Sequence, residues 1–460
     1  MPSVLPTSVF KAYDIRGIVP AQLNANFAFQ LGYALGCQAA VADVPAIVVG
    51  YDGRHSSPEL AEALMQGIER AGINSIDIGL APTPLVYYAA YKLHTLSAVA
   101  ITGSHNPPEY NGFKMMMAGT TLYGPAIQQL YQLMLNPAEV SADAGQRIQH
   151  PITQSYIDEI QSTVKLARPM RVAVDCGNGA GGAVAKQLFD ALGCSSDILF
   201  AEADGSFPNP HPDPADPANL VDLIKHVQTH DFELGLAFDG DADRLGVVTR
   251  SGEIIWPDRQ LILYAQDTLS RHPGATIIFD VKCSRHVALG IEAAGGVPLM
   301  WQTGHSLIKA KLAETQAPLA GEMSGHIFFK ERWYGFDDGL YTAARLLEIL
   351  SAYDDPSAVL EALPNDISTP ELKIEMAESE PHALIERLQQ EGHFPSATQR
   401  ITIDGIRAEY EDGFGLARAS NTTPVVVLRF EAQNEAALAR IQDEFKTALL
   451  ALNAQLKLPF

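Results

Sequence analysis

Leu234-Gly-Leu-Ala-Phe-Asp-Gly-Asp-Ala-Asp-Arg244 passes from an uncharged apolar run straight into three carboxylates at alternating positions, closed by an arginine. The apolar run reads as a buried strand, and the change of polarity at Asp239 marks where it leaves the sheet. Alternation along extended chain points Asp239, Asp241 and Asp243 the same way. Three crowded carboxylates repel one another unless a hard cation lies between them, and oxygen-only ligation suits Mg²⁺ or Ca²⁺. Arg244 adds a fixed bidentate donor for an anion beside that cation. The combination points to phosphoryl chemistry. A calcium loop of the EF-hand kind needs Gly at its sixth position and Glu at its twelfth; those positions hold Arg244 and Arg250, so that reading fails. A solvated acidic turn is the other alternative.

The same strand-into-loop pattern recurs on either side. Ile47–Asp52, Val172–Asp175 and Ile277–Asp280 are apolar runs ending in aspartate, each followed by a helical segment. In the first, Ser57-Pro58 supplies an N-cap and N1 start, and Gly72 a stop. Second strands follow at Ser75–Gly79, Ser196–Phe200 and Val297–Trp301, and third strands at Ala98–Ile101, Leu234–Phe238 and Ala317–Ala320. Strands alternating with helices imply α/β units with parallel sheets. The third strands run into Thr102-Gly-Ser-His-Asn-Pro107, the aspartate loop, and Gly321-Glu-Met-Ser-Gly-His326. Open α/β sheets place ligands at such strand ends. Past about Pro364 the pattern changes to antiparallel-type strands at Glu371–Met376, Arg400–Asp404 and Val425–Phe430. Helices are expected near 381–390 and 435–452, giving a smaller α+β domain. Its notable loop is Arg418–Pro424.

The chain has 460 residues, enough for about three domains, and a net charge of −22. That charge disfavours nucleic acid or an anionic membrane as partner. A phosphorylated substrate would need capture by local cations, and Lys11, Arg16, Lys114, Arg244, Lys282 and Arg418 are at hand. Cys37, Cys176, Cys194 and Cys283 show no paired spacing, which suits reduced thiols rather than a zinc or redox site. Residues 24–42 carry Phe27, Leu31, Ala34 and Leu35 at helical spacing and read as an amphipathic helix rather than a membrane span. No signal peptide is evident, so a soluble, cytoplasmic protein is expected.

Ser104 sits in a tight turn beside His105. Neighbouring side chains are expected to diverge and GxSxG is absent, so a hydrolase pair is not indicated. A phosphoryl group on Ser104 would instead supply a further oxygen beside Asp239, Asp241 and Asp243, while Arg244 and Lys114 neutralise the rest.

With these residues in view the chain resembles the α-D-phosphohexomutases, through Thr102–Pro107, Asp239–Arg244, Gly321–His326 and Arg418–Thr422 in that order, and Ala12-Tyr-Asp-Ile-Arg-Gly17 near the start. The resemblance implies three similar α/β domains with mixed sheets (1–150, 151–253, 254–366) and a smaller C-terminal α+β domain (367–460) around a central cleft. It implies that Ser104, with His105 adjacent, carries the transferring phosphoryl group, and that Asp239, Asp241 and Asp243 hold Mg²⁺ together with Ser104. Glu322 and Ser324 would read sugar hydroxyls. Arg418, Ser420, Asn421 and Thr422 would clamp the phosphate that is not reacting, while Tyr13, Arg16, Lys282, His305, His326 and Arg259 match further substrate-side positions. Lys114 and His326 are the acid–base candidates, with Arg16 less suited because it stays protonated; His305 and His326 also fit plain hydrogen bonding. Ala242 replaces a glycine many relatives carry, a change tolerated if its φ is negative. The implied reaction interconverts hexose 1- and 6-phosphates of glucose or mannose, through hexose 1,6-bisphosphate (glucose 1,6-bisphosphate) as intermediate and activator. A sugar phosphatase and a non-catalytic sugar-phosphate-binding module are the rivals.

Overall fold

The aspartate-bearing strand forms over Leu234–Phe238 and is buried along its length. In the computed structural model, which describes residues 5–139, 143–377, 379–421 and 423–460, it lies parallel to Arg171–Asp175, which pairs in turn with Ser195–Leu199. After the aspartate turn the chain comes back antiparallel as Leu245–Thr249, and Ile254–Ile255 closes that edge. This sheet therefore runs two residues past position 253.

The first and third domains repeat the plan. Ala46–Tyr51 lies between parallel strands Asn74–Leu80 and Ala98–Ile101, and Ala98–Ile101 takes antiparallel Tyr110–Met117 on its other side. Thr276–Asp280 lies between Val297–Trp301 and Leu319–Gly321, with Ile327–Phe329 antiparallel beyond. In all three domains the loop of interest joins a parallel strand to the antiparallel strand that pairs beside it. That shared reversal aims three different loops at one place.

Local chemistry explains several element ends. Asn24 caps the helix Ala25–Val41 by accepting the Phe27 N–H, and Phe27, Leu31, Ala34 and Leu35 are buried on one face. Gly72, at φ +85°, terminates the helix Ser57–Arg70. Ser57 is not that helix's N-cap. It is the first helical residue, and its hydroxyl donates to Asp52 at 2.6 Å instead. The third strand of domain 3 starts at Leu319 rather than Ala317. Pro318 has no N–H for a ladder, and its carbonyl accepts from Lys330 and Glu331.

The C-terminal sheet is antiparallel throughout, with Gln399–Ile401, Ile406–Tyr410, Gly413–Ala419 and Val425–Ala432 in order and Leu372–Glu375 and Ile367–Ser368 on the last. Arg418 thus stands on a strand, not in a loop. Glu380–Glu391 and Glu435–Leu452 cover one face of this sheet. A stack of rings joins the first three domains: Trp333 lies flat on Tyr341 at 4.4 Å and on Tyr88 at 5.6 Å, with Tyr156 edge-on to both Tyr88 and Trp333. One apolar core runs continuously through all three domains. No helix among the described residues is long and apolar enough to cross a membrane.

Candidate active site

Ser104 is buried in a left-handed conformation, φ +47°. Its amide donates to Thr102 Oγ1 at 2.7 Å and its hydroxyl to Asp239 Oδ2 at 3.0 Å, across the boundary between domains 1 and 2. The left-handed turn also brings neighbouring side chains together. Ser104 Oγ and His105 Nδ1 are 3.1 Å apart, so the expected divergence does not occur. Burial first, then Arg244 and Arg16, hold His105 well below its ordinary pKa, which keeps it neutral. Gly240 makes the loop contact possible, since a Cβ there would lie 2.4 Å from the Ser104 carbonyl oxygen. Arg16, on the edge strand Ile15–Ile18, donates to Asp14 and Asn106 beside the serine loop.

Asp239, Asp241 and Asp243 are fully buried and offer oxygens that lie within 4.8 Å of one another. The donor set fits a hard dication. All ligands are oxygen, and Asp241 Oδ1 and Asp243 Oδ1 are buried without a hydrogen-bond partner among the described residues. Lys114 reaches in from domain 1, with Nζ 2.6 Å from Asp241 and 2.5 Å from Asp243. Burial opposes both charges. For Asp241 the Lys114 ammonium, with hydrogen bonds from Lys114 and Thr83, outweighs it and holds the carboxyl well below its usual range. Burial wins at Asp239 and lifts it to about 7 despite Arg244. Arg244 donates to Asp239 and Asp213 at 3.1 and 3.3 Å, leaving its second terminal nitrogen buried and unpartnered among the described residues. That nitrogen is suited to an anion.

Ala242 departs from expectation, with φ +55°. A left-handed alanine costs roughly 1–2 kcal/mol. Its methyl is fully buried in the core beside Gly181, which offsets part of that cost by about 0.8 kcal/mol.

The domain 3 loop meets the domain 2 loop through an isolated bridge between Arg244 and His326. His326 Nδ1 lies 3.1 Å from Asp337 and 3.6 Å from Asp243, and its ring stacks on His305. Burial opposes the imidazolium, but Asp243 and Asp337 raise its pKa. Burial and Lys309 hold His305 well below the ordinary value. Glu322 accepts the Gly304 N–H at 2.6 Å, and burial lifts its carboxyl to about 7. Ser324 follows in the same loop, partly exposed.

Domain 4 closes the constellation. Arg418 donates to Asp404 at 3.0 Å, Lys282 pairs with Glu371 at 2.6 Å, and Asn421 donates to the Tyr13 hydroxyl. Tyr13 donates to the Thr303 carbonyl at 3.0 Å, so it touches domains 3 and 4 from domain 1. Ser420 pairs with Thr423 at 3.0 Å. Thr422 lies outside the described residues. Arg259, expected on the substrate side, is held by protein partners. In the first turn of Pro257–Arg271 its buried guanidinium pairs with Glu253 at 2.6 Å and donates to the carbonyls of Leu360, Glu361 and Leu363. It ties the first turn of its helix to the segment leading into domain 4.

Several residues here escaped sequence reading. Asp337 accepts from Lys309 at 2.9 Å and faces His305 and His326 Nδ1 at 3.6 and 3.1 Å; Thr83 donates to Asp241 at 2.5 Å; Asp213 and Asp404 orient Arg244 and Arg418. Asp337-Asp338 just before a helical run offered a signal, although it reads first as an N-cap, and Asp338 is one.

Residues 7–140, 154–252 and 256–367 match the family models for phosphoglucomutase/phosphomannomutase alpha/beta/alpha domains I, II and III, and 371–448 the C-terminal domain. A phosphomannomutase/phosphoglucomutase of Pseudomonas putida is 53% identical over 462 residues, covering 100% of this chain and 99% of its own. A phosphoglucomutase of Neisseria gonorrhoeae is 54% identical, with 96% of each chain covered. A crystal structure of a phosphoglucomutase/phosphomannomutase family protein from Burkholderia thailandensis, 52% identical, matches with a TM-score of 0.94 over 99% of this chain and 100% of that one. Four successive domain models and relatives more than half identical from end to end make this chain a member of the phosphoglucomutase/phosphomannomutase family, the α-D-phosphohexomutases.

Proposed function

We propose that this chain catalyses reversible transfer of a phosphoryl group between C1 and C6 of glucose and mannose phosphates. The group passes through phospho-Ser104 and a hexose 1,6-bisphosphate. The observation that carries this reading is the Ser104 hydroxyl, held 3.0 Å from one of three buried carboxylates that belong to a different domain. A turn serine has no structural need of such a partner.

Phospho-Ser104 gives its group to the free hydroxyl of the bound hexose phosphate, and the bisphosphate turns round and returns its other phosphate to Ser104. Asp239, Asp241 and Asp243 would hold Mg²⁺ there, which draws charge from the transferring group. Arg244 offers its unpartnered nitrogen to a phosphoryl oxygen. Of the acid–base candidates the geometry favours His326, because Lys114 donates to both Asp241 and Asp243 and serves as a fixed cation. His326 turns Nδ1 toward Asp337 at 3.1 Å, which leaves Nε2 to exchange a proton with a sugar hydroxyl. Glu322 and Ser324 read the ring hydroxyls, and Arg418 with Ser420, Asn421 and Thr422 grips the distal phosphate. Tyr13, Arg16, Lys282 and His305 complete the substrate side. Domain limits of 1–150, 151–253, 254–366 and 367–460 are supported by one sheet per unit, apart from Ile254–Ile255. A cytoplasmic setting is supported by four buried cysteines, none in a disulfide, and the charge of −22 disfavours nucleic acid or an anionic membrane as partner.

A ³¹P spectrum of glucose 1-phosphate or mannose 1-phosphate incubated with enzyme, Mg²⁺ and a trace of glucose 1,6-bisphosphate tests the proposal. The expected product is the 6-phosphate with no inorganic phosphate. Release of inorganic phosphate would favour the phosphatase reading, and an unchanged spectrum the non-catalytic one.

A further inference from the structure

Each α/β domain carries an aspartate at the end of its first parallel strand: Asp52 after Ala46–Tyr51, Asp175 closing Arg171–Asp175, and Asp280 closing Thr276–Asp280. All three are buried. The repeat makes them equivalent in sequence, yet they differ in what they hold.

Asp52 Oδ2 accepts the Gly103 N–H at 3.2 Å, and its other oxygen takes the Arg54 N–H at 3.0 Å and the Ser57 hydroxyl at 2.6 Å. Arg54 Nε faces Asp52 at 3.2 Å, and the remaining guanidinium N–H groups donate to the carbonyls of Ser104, Asn106, Pro107 and Tyr110. The backbone is thus gripped immediately before and at Ser104. Gly103 leaves no slack, since a Cβ there would lie 2.4 Å from the guanidinium. Asp280 does the corresponding thing in domain 3. One oxygen accepts the Met323 N–H at 3.1 Å, immediately after Glu322. The other accepts the Thr303 hydroxyl at 2.9 Å, and Gly304, next in the chain, donates to Glu322. Asp175 accepts the Gly177 N–H at 2.8 Å, and no other hydrogen bond to its side chain is found among the described residues. The aspartate loop is held through Ala180 N–H to the Gly240 carbonyl at 2.9 Å instead.

We propose that Asp52 and Asp280 are homologous positioning residues, Asp52 for the phosphoserine loop and Asp280 for the sugar-reading loop. This rests on the reaction proposed above. Charge-assisted bonds from carboxylate to loop N–H are stiff and directional. A displacement of about 1 Å at a reacting group costs up to about a hundredfold in rate. Loosening the serine loop therefore acts on the chemical step, whereas loosening the sugar loop acts on contacts made in ground and transition states alike.

The test is a comparison of Asp52→Asn, Asp280→Asn and Asp175→Asn, each assayed for kcat and KM with glucose 1-phosphate, for the rate of phosphoserine formation from glucose 1,6-bisphosphate, and for Tm. Asparagine keeps the shape and removes the charge. Asp52→Asn should lower kcat and phosphoserine formation about ten- to a hundredfold, with KM within about twofold. Asp280→Asn should raise KM about tenfold with a smaller change in kcat. Asp175→Asn, which shares the burial but not the loop contact, should leave both within about twofold. Should an aspartate variant fail to fold, Arg54→Lys and Thr303→Val loosen the same two grips from the other side and should reproduce the same split. Equal effects of all three asparagine variants on kcat and KM, or no effect of Asp52→Asn and Asp280→Asn, would overturn the proposal. Wild-type turnover separates the two levels: an inactive wild type removes the reaction itself, while an active wild type without the split removes only the positioning roles.

Discussion

Lys114 and Asp241 meet across the boundary between the first two domains, Nζ to Oδ2 at 2.6 Å, with both side chains buried. The ammonium lies against two of the three carboxylates, where it offsets their repulsion and competes with any cation they bind. Replacing Lys114 by Met leaves buried carboxylates uncompensated, a defect that costs about 3–5 kcal/mol. Without added cation the variant should therefore be less stable in urea by that order, and Mg²⁺ should restore much of the loss. Its Mg²⁺ affinity, by calorimetry, should exceed that of wild type. Equal stability without cation, or weaker Mg²⁺ binding, would contradict this account of the cluster.

Asp241 accepts from both Lys114 and Thr83 while belonging to the carboxylate trio. Asp241→Asn should weaken Mg²⁺ binding and reduce kcat far more than it raises KM, because the cation acts on transferring charge. Calorimetry and steady-state kinetics on the same preparation decide it. Near-normal kcat at ordinary Mg²⁺ would mean that another group set holds the cation.

Arg418 is fixed by Asp404 at 3.0 Å and lies near the Tyr13–Asn421 contact. If it grips the distal phosphate, its loss removes a contact present in ground and transition states. Arg418→Ala should raise KM by about ten- to a hundredfold, in line with roughly 1.5–3 kcal/mol for a charge-assisted contact. The variant should also release hexose 1,6-bisphosphate into solution. Unchanged KM and no free bisphosphate would reassign domain 4 as a structural cap.

The contact between Lys282 in domain 3 and Glu371 in domain 4 has a pH signature. Lys282 is the main cause that lowers the Glu371 carboxyl from 4.5 to about 2. A depressed carboxylate contributes stability above its unfolded pKa and loses it as pH falls through the folded one. Glu371→Gln should thus be less stable than wild type at neutral pH. The gap should close between pH 4.5 and about 2, as read from urea unfolding across that range. A gap independent of pH would show that the pair's charge is not what links these domains.

Much of this fold and site is legible in the sequence alone. The three strand-to-loop transitions and the four polar motifs lie in contiguous sequence, and each depends on local polarity, glycine placement and strand pattern. What was not legible depends on distant chain. Asp337 looks like a helix cap until folding brings His305, His326 and Lys309 around it. Arg259 matches a substrate-side position in sequence, while three of the carbonyls it donates to, those of residues 360, 361 and 363, lie about a hundred positions away. Arg418 reads as the start of a loop because Gly413–Ala419 holds two glycines and two alanines and its short Phe414/Leu416 alternation ends in a charge. Pairing with both Ile406–Tyr410 and Val425–Ala432 makes it a central strand regardless. The left-handed φ values of Ser104 and Ala242 belong to the same class, since burial and cross-domain contacts impose them against local preference.

The most direct test of the central claim follows phosphate on Ser104. Intact-mass analysis of enzyme treated with glucose 1,6-bisphosphate should show a species about 80 Da heavier, one phosphoryl group. That species should be chased back to the unmodified mass by excess hexose monophosphate at a rate no slower than kcat. Ser104→Ala, folded to the same circular dichroism spectrum, should show neither the added mass nor turnover. Wild-type interconversion of hexose 1- and 6-phosphates without any phosphate passing through Ser104 would contradict the account.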